Sequence, residues 1–527
     1  MQVLESMPTD VQQMEALVTA PSTSASKSWA RLLLPSLSDL FFLFIVVWMF
    51  LAAPDGWQRL LRDADTTLHI RIGQQILSSG SIPAVDSYSF SKPGQTWYAF
   101  EWLSEVALAA AYNLSGYKGV VLLAGMVIAL YLTLLLKYAI WRGANGMIAL
   151  VIVLLSTTAS TIDFHARPHI FTLLLLTGAL WILEYNRRAR GRLIWTLVPL
   201  TVLWTNLHGG FVIFFVLLAL RCGGCAAEAW FWPQLRPERL REAKQLAKVG
   251  LACGLASLIN PYGIYLHLHI LDTLRSTWIM ANVSAFLSPS FRSEEMYYFM
   301  LVLFAGLICV VSLVRTWHIV EPLWILFLAY ASLTSVRHAL IFMLVAAPII
   351  SLEATEWWNS AVIGRSRASV LVMLHDMSGN LSARLRGTSA FIPAFILVLA
   401  LVPGLSWPQQ FAADADTIPM KLVEKHLDLL GSGRLFTSDQ IADYLIFRNA
   451  RQKVFIDSRH NYYGDKIGND YITIAGGGST WRSLLDRYGI DVLLAETNAP
   501  ITSLAKTTSD WVLVDSDKEY ALFARRR

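Results

Sequence analysis

Apolar runs of about twenty residues, long enough to cross a bilayer as helices, recur along most of this chain. That recurrence constrains the fold more than any other feature. The first run is 36–54, preceded by Lys27 and Arg31. Further runs lie at 118–137, 147–163, 169–185, 193–206, 210–227, 246–260, 297–314, 319–335, 337–352 and 389–407. They predict a polytopic α-helical membrane protein with about eleven transmembrane helices. Composition agrees: 55% of residues are hydrophobic and 15% charged, against about 25% charged in soluble proteins. The net charge of +5 is read as loop bias that sets orientation, not as a nucleic-acid footprint.

The loops sort by charge. With the N-terminus in the cytoplasm, the loops that fall inside carry Lys137 and Arg142, then Arg187 to Arg192, Arg236 to Lys248, Arg315, and Arg365 to Arg386. Cytoplasmic loops collect Lys and Arg, so charge and span count agree. An odd number of spans then places the C-terminus outside. Residues 1–33 read as a disordered cytoplasmic segment with no signal peptide. Residues 34–408 read as the transmembrane domain, with a long first extracytoplasmic loop over 55–116. From 409 to 527 helical stretches (420–430, 440–449, 481–488) alternate with strand-like runs (434–437, 454–457, 491–495, 511–514, 520–524). That alternation predicts a small extracytoplasmic α/β domain. The segments 101–116 and 261–296 are expected to lie along the membrane surface. The four cysteines lie in or beside apolar runs and are expected to be membrane-embedded, without a redox or metal role.

Ionisable groups near spans are costly and mark function by default. Here they gather on the outside. The first loop carries Asp63, Asp65, His69, Arg71 and Glu101. In a helix Asp65 and His69 share a face at i, i+4. The third and fourth spans meet at Asp163 to His169, with His165, Arg167 and His169, and Pro168 keeps Arg167 out of helical geometry. The fifth and sixth meet at Asn206, His208 and two glycines, the seventh ends at Asn260 to Gly263, and the ninth and tenth meet at Arg337 and His338. Five such turns on one face predict one polar cavity opening outward. Acids serve as general base or metal ligand. Arg and His suit phosphate oxygens. His267 and His269, two residues apart, point to different faces of a helix and are expected to be structural. For each turn the bland alternative is an interfacial turn with snorkelling side chains or an interhelical hydrogen bond.

An acidic pair in the first outside loop of a many-span protein resembles the C-type glycosyltransferase superfamily. More narrowly, several strings resemble a group of bacterial membrane proteins near it. They are Asp63 to His69, Gly80 to Pro83 with Asp86 and Ser89, Glu101 to Leu103, Arg167 to His169, Asn206 to Gly210, Asn260 to Gly263, Arg337-His338, and Phe455 to Arg459 with Tyr462 and Tyr463. The resemblance implies sugar transfer from a polyprenyl-phosphate donor to a glycan, lipid or protein acceptor, at the outer face of a bacterial inner membrane. It implies that Asp63 or Asp65, with Glu101 nearby, acts as base or helps hold a divalent metal ion. His69, Arg71, His165, Arg167, His169, Asn206, His208, Arg337 and His338 would bind substrate, with Arg167, Arg337 and nearby His residues on the donor phosphate. Asp457, Arg459 and Tyr462 would recognise the acceptor or cover the cavity. Two alternatives are a non-catalytic lipid-carrier-binding subunit of an exopolysaccharide assembly machine and a transporter or flippase of an anionic glycolipid.

Overall fold

The computed structural model describes residues 35–52, 56–189, 191–385 and 418–526. The N-terminal segment 1–33 and the expected span 389–407 lie outside the described residues. Among the described residues, six helices are long and apolar enough to cross a membrane: Tyr117–Arg142, Gly146–Asp163, His169–Ala189, Phe211–Phe231, Glu294–Arg315 and Val336–Val362. Two shorter apolar helices, Leu37–Leu51 and Val320–Thr334, accompany them. The runs expected at 193–206 and 246–260 are helical as Leu197–Leu207 and within Arg236–Ala256.

Local chemistry sets the helix limits. Asn145 accepts from the backbone N–H groups of Met147 and Ile148 and so caps the next helix. Ser36 and Asp39 form a capping box at the first. The Ala339–Val362 helix is apolar all round, with every residue from Ala339 to Ile350 buried, which makes it the central helix of the bundle. The Glu294–Arg315 helix instead exposes Leu301, Phe304, Ile308 and Val311. Their spacing of three and four forms one outward stripe that suits lipid.

The bundle has two chemically distinct ends. At one end, arginines meet glutamates, with Arg142, Arg187 and Arg188 in the last turns of their helices. Arg142 lies 3.3 Å from Glu321, Arg187 2.6 Å from Glu184, and Arg221 2.8 Å from Glu242. Arg188 donates to the carbonyls of Trp141 and Arg142. Cations there complement the helix dipoles. All four cysteines are free.

The other end carries the long first loop and the C-terminal residues. There a four-stranded sheet has the order β1-β2-β4-β3. The strands are β1 (Leu435–Phe436), β2 (Val492–Glu496), β3 (Trp511–Ser516) and β4 (Tyr520–Arg525). β1 and β2 are parallel; β4 is antiparallel to both β2 and β3. The run expected as a strand at 454–457 is not one: Val454 makes only isolated bridges, to Ser89 and Leu435. Helices His460–Ala475 and Pro500–Thr507 were not foreseen. Gly464, at φ 70°, kinks the first of them, which blurs its periodicity in the sequence.

The sheet region does not pack by itself. One hydrophobic core joins Leu68, Ile72, Tyr88 and Trp97 of the first loop to Ile446, Val454, Phe455 and Tyr462. Phe90 and Phe455 meet edge to face at 6.1 Å. Backbone hydrogen bonds run both ways, from Phe90 N–H to the Val454 carbonyl and from Val454 N–H to that of Tyr88. The first loop and the tail are thus one structural unit resting on the bundle.

Candidate functional site

The Asp65–Ser79 helix begins with the acidic pair and packs closely against the Trp102–Ser115 helix. Gly73 permits that approach: a Cβ there would lie 2.0 Å from the Glu105 carbonyl oxygen. The close packing brings His69 onto Glu105. Its Nδ1 lies 3.3 Å from Glu105 Oε1, and its Nε2 lies 3.5 Å from Asp65 Oδ1 and 3.9 Å from Glu101 Oε2. Both ring nitrogens face carboxylates, which favours the doubly protonated imidazolium. Burial works against that charge, but Asp65 and Glu105 hold His69 well above its usual range.

Arg167 comes from the turn between two spans. Pro168 bars helical geometry at Arg167, and Ala166 N–H donates to the Leu60 carbonyl at 2.8 Å, tying the turn to the first loop. The guanidinium then forks: Nη1 reaches Asp63 Oδ2 and Nη2 reaches Asp65 Oδ2, each at 2.6 Å. Burial opposes ionisation of Asp65, but Arg167 and His69 hold its carboxyl well below the usual carboxylate range. The remaining oxygens are also taken. Asp63 Oδ1 accepts from Asp65 N–H at 3.0 Å, and Asp65 Oδ1 accepts from the Ser458 hydroxyl at 2.6 Å. Gln440 accepts from Ala64 N–H at 2.8 Å, so the C-terminal region holds the acidic turn from above.

Glu101 links this cluster to the next turn. Its Oε1 lies 3.4 Å from His208 Nε2. His208 Nδ1 accepts from Gly210 N–H at 2.9 Å, with Thr172 Oγ1 2.8 Å away. That leaves the proton on Nε2, facing Glu101. Burial and the Arg337 guanidinium keep His208 neutral, well below its usual range. Burial, with Glu105 and Asp65 nearby, pushes Glu101 up to about 7, although His69 pulls the other way.

The five polar turns converge. Asp63 and Arg167 join the first two. Glu101 to His208, and Trp102 Nε1 to Asn206 Oδ1 at 2.9 Å, join the third. The fourth enters through Asn206 Nδ2, which donates to the Ile259 carbonyl, and through Tyr262, whose hydroxyl accepts from Ala99 N–H. The fifth places Arg337 within electrostatic reach of His208. Arg337 is exposed and stacks on Phe286 at 4.5 Å, and among the described residues it has no ion pair or hydrogen bond. His338 Nδ1 is buried without a partner. His165 and His169 both turn to Asp163, the latter donating from Nε2 to the Asp163 carbonyl at 2.8 Å.

Other expected residues are placed differently. Arg459 forks onto Asp457 at 2.8 and 2.6 Å, reaches Asp86 at 2.7 Å, and lies among the rings of Tyr88, Trp97 and Tyr462. Asp457, Arg459 and Tyr462 are all buried in this clamp between tail and first loop. Arg71 sits half-buried beside the same group, with its Nε unpartnered. His267 and His269 bond Ser257 and Asn461. Sequence reasoning missed Glu105, whose i, i+4 spacing from Glu101 was the available signal. It also missed Ser458, Gln440 and Asp443. Burial, with Asp65, Asp457 and Asp439 nearby, holds the Asp443 carboxyl well above its usual range.

A divalent ion fits this arrangement poorly. Among the described residues no group of three or more His, Cys, Asp or Glu is arranged to hold one. Each of the four oxygens of Asp63 and Asp65 already accepts from a donor, two of them from Arg167.

Apolar helices and charge distribution together define a multi-pass membrane protein. Its fold is similar to that of two solved structures. The apo crystal structure of the Archaeoglobus fulgidus oligosaccharyltransferase aligns with a TM-score of 0.52 at 13% identity, over 90% of this chain and 70% of that one. The archaeal oligosaccharyltransferase AglB from Archaeoglobus fulgidus, in complex with an inhibitory peptide and a dolichol-phosphate, aligns with a TM-score of 0.55 at 13% identity, over 96% and 75%. Identity at this level carries the fold alone. No known family's sequence model matches the chain, and no curated protein sequence matches it.

Proposed function

We propose that this protein is a membrane glycosyltransferase that moves a sugar from a polyprenyl-phosphate-linked donor to an acceptor hydroxyl. The reaction would take place outside the cytoplasm at a bacterial inner membrane. The observation that carries the reading is the convergence of five turns, distant in sequence, on one cluster at one end of the bundle. The archaeal neighbour binds a dolichol-phosphate, a lipid-linked phosphate of the same chemical class. In keeping with this reading we infer eleven spans, counting 389–407 from the sequence, with the N-terminus inside and residues 409–527 outside.

The roles follow from charge. A general base works best with a pKa near the operating pH. Asp63 and Asp65 are committed to Arg167, whereas Glu101 is pushed up to about 7. Glu101 therefore takes the acceptor proton as the hydroxyl oxygen attacks the anomeric carbon. The bond from that carbon to the phosphate oxygen breaks, and polyprenyl phosphate leaves with the electron pair. Arg337, without an ion pair or hydrogen bond among the described residues, and His338 hold that phosphate. Asp63 and Asp65 fix Arg167 and His69, which set the field around Glu101. The test is release of sugar from a polyprenyl-phosphate donor by the purified chain. The double variant D63N/D65N is expected to lose transfer, and full activity in it would overturn the reading.

A further inference from the structure

The acid pair has the chemistry of a divalent-cation site, yet a guanidinium sits in it. We propose that Arg167 is the resident counter-cation of Asp63 and Asp65, standing where a divalent metal ion would stand and excluding one. The inference rests on reading this cluster as the reaction centre, and three observations carry it.

The first is geometry. Arg167 bridges both carboxylates at 2.6 Å through different nitrogens. A planar fork suits this, and a point cation would need to displace it. The second is ligand supply. Every oxygen of the pair already accepts from one donor: Asp65 N–H, the Ser458 hydroxyl or an Arg167 nitrogen. A Mg²⁺ or Mn²⁺ ion would have to share each of these oxygens with the donor already on it. The third is charge. Arg167 and His69 together offset both aspartates, and a further double positive charge would meet the guanidinium at contact distance. An arginine stays charged at every working pH, so the exclusion is permanent. It is also positioned by the backbone, through Pro168 and the Ala166 to Leu60 hydrogen bond.

The chemical consequence is specific. Arg167 offers charge and hydrogen bonds but no open coordination position. Its side chain is about one-third exposed, at 34%.

The test is Mn²⁺ binding to the purified full-length chain, followed by the electron paramagnetic resonance signal of free Mn²⁺, with no sugar donor present. Wild type is expected to leave the signal undiminished. R167Q is expected to bind one Mn²⁺ per chain at least tenfold more tightly than wild type, and D63N/D65N/R167Q is expected to lose that site. A wild-type site that disappears in D63N/D65N overturns the proposal, and so does a folded R167Q that binds no Mn²⁺. Should R167Q fail to fold, the wild-type arm decides alone. Because sugar transfer is not the readout, loss of transfer in D63N/D65N can hold while this inference fails, and the reverse.

Discussion

Replacing Arg459 with methionine should release the tail from the first loop. Arg459 is buried, and its partners Asp457 and Asp86 have no exposed side-chain surface. Methionine keeps the apolar packing against Tyr88, Trp97 and Tyr462. It leaves two carboxylates buried without their cation. Removing one partner of a buried ion pair costs about 3–5 kcal/mol. The clamp then opens locally at an equilibrium roughly 150- to 5,000-fold more populated. Two hydrogen bonds report it directly, Phe90 N–H to the Val454 carbonyl and Val454 N–H to the Tyr88 carbonyl. Hydrogen exchange at Phe90 and Val454 in R459M should accelerate by that factor. Removing the stranded charges as well, in D86N/D457N/R459M, should recover more than half of the lost protection. Transfer should also fall in R459M, because Ser458 loses its position on Asp65. Protection within about threefold of wild type, a difference under about 1 kcal/mol, would refute the reasoning.

Glu101 predicts the pH profile. Its carboxyl, raised to about 7, is a base only when ionised, so transfer should rise with pH through about 7 and level off above. E101Q should lose roughly 100- to 10,000-fold, and a wild-type profile that is flat across neutrality would sink the assignment. His69 predicts stability. Its folded pKa lies well above the ordinary 6.5, so its contribution is complete below about 6.5 and is lost as pH rises through the folded value. Thermal melting should show that decline in wild type, and H69Q should flatten it. G73A should cost about 1–3 kcal/mol by overpacking, since its Cβ would strike the Glu105 backbone. Unchanged denaturant unfolding in G73A would contradict the close helix approach.

The sequence by itself determined the membrane class and the grouping of polar residues into turns. Long apolar runs admit few other structures, because unpaired backbone groups are too costly in lipid. Period and punctuation also located most tail elements, such as β2 to β4 and the Trp481–Tyr488 helix. The acid pair, Glu101, Arg167 and His208 were legible as candidates because charge near an apolar run is expensive.

What each of them does was decided only by tertiary packing. Asp63 and Arg167 are 104 residues apart and meet at 2.6 Å, and no local pattern encodes that contact. The same holds for Ser458 on Asp65, 393 residues away. Arg459 and Asp457 look like ligand-binding residues in a polar string, yet the structure buries them as a clamp. Glu101 and Asp65 are both carboxylates of the first loop. Their opposite proton affinities come from which cations and anions the folded chain sets beside them. Charge type is a local property of sequence; the field that gives it a role is a sum over the whole fold.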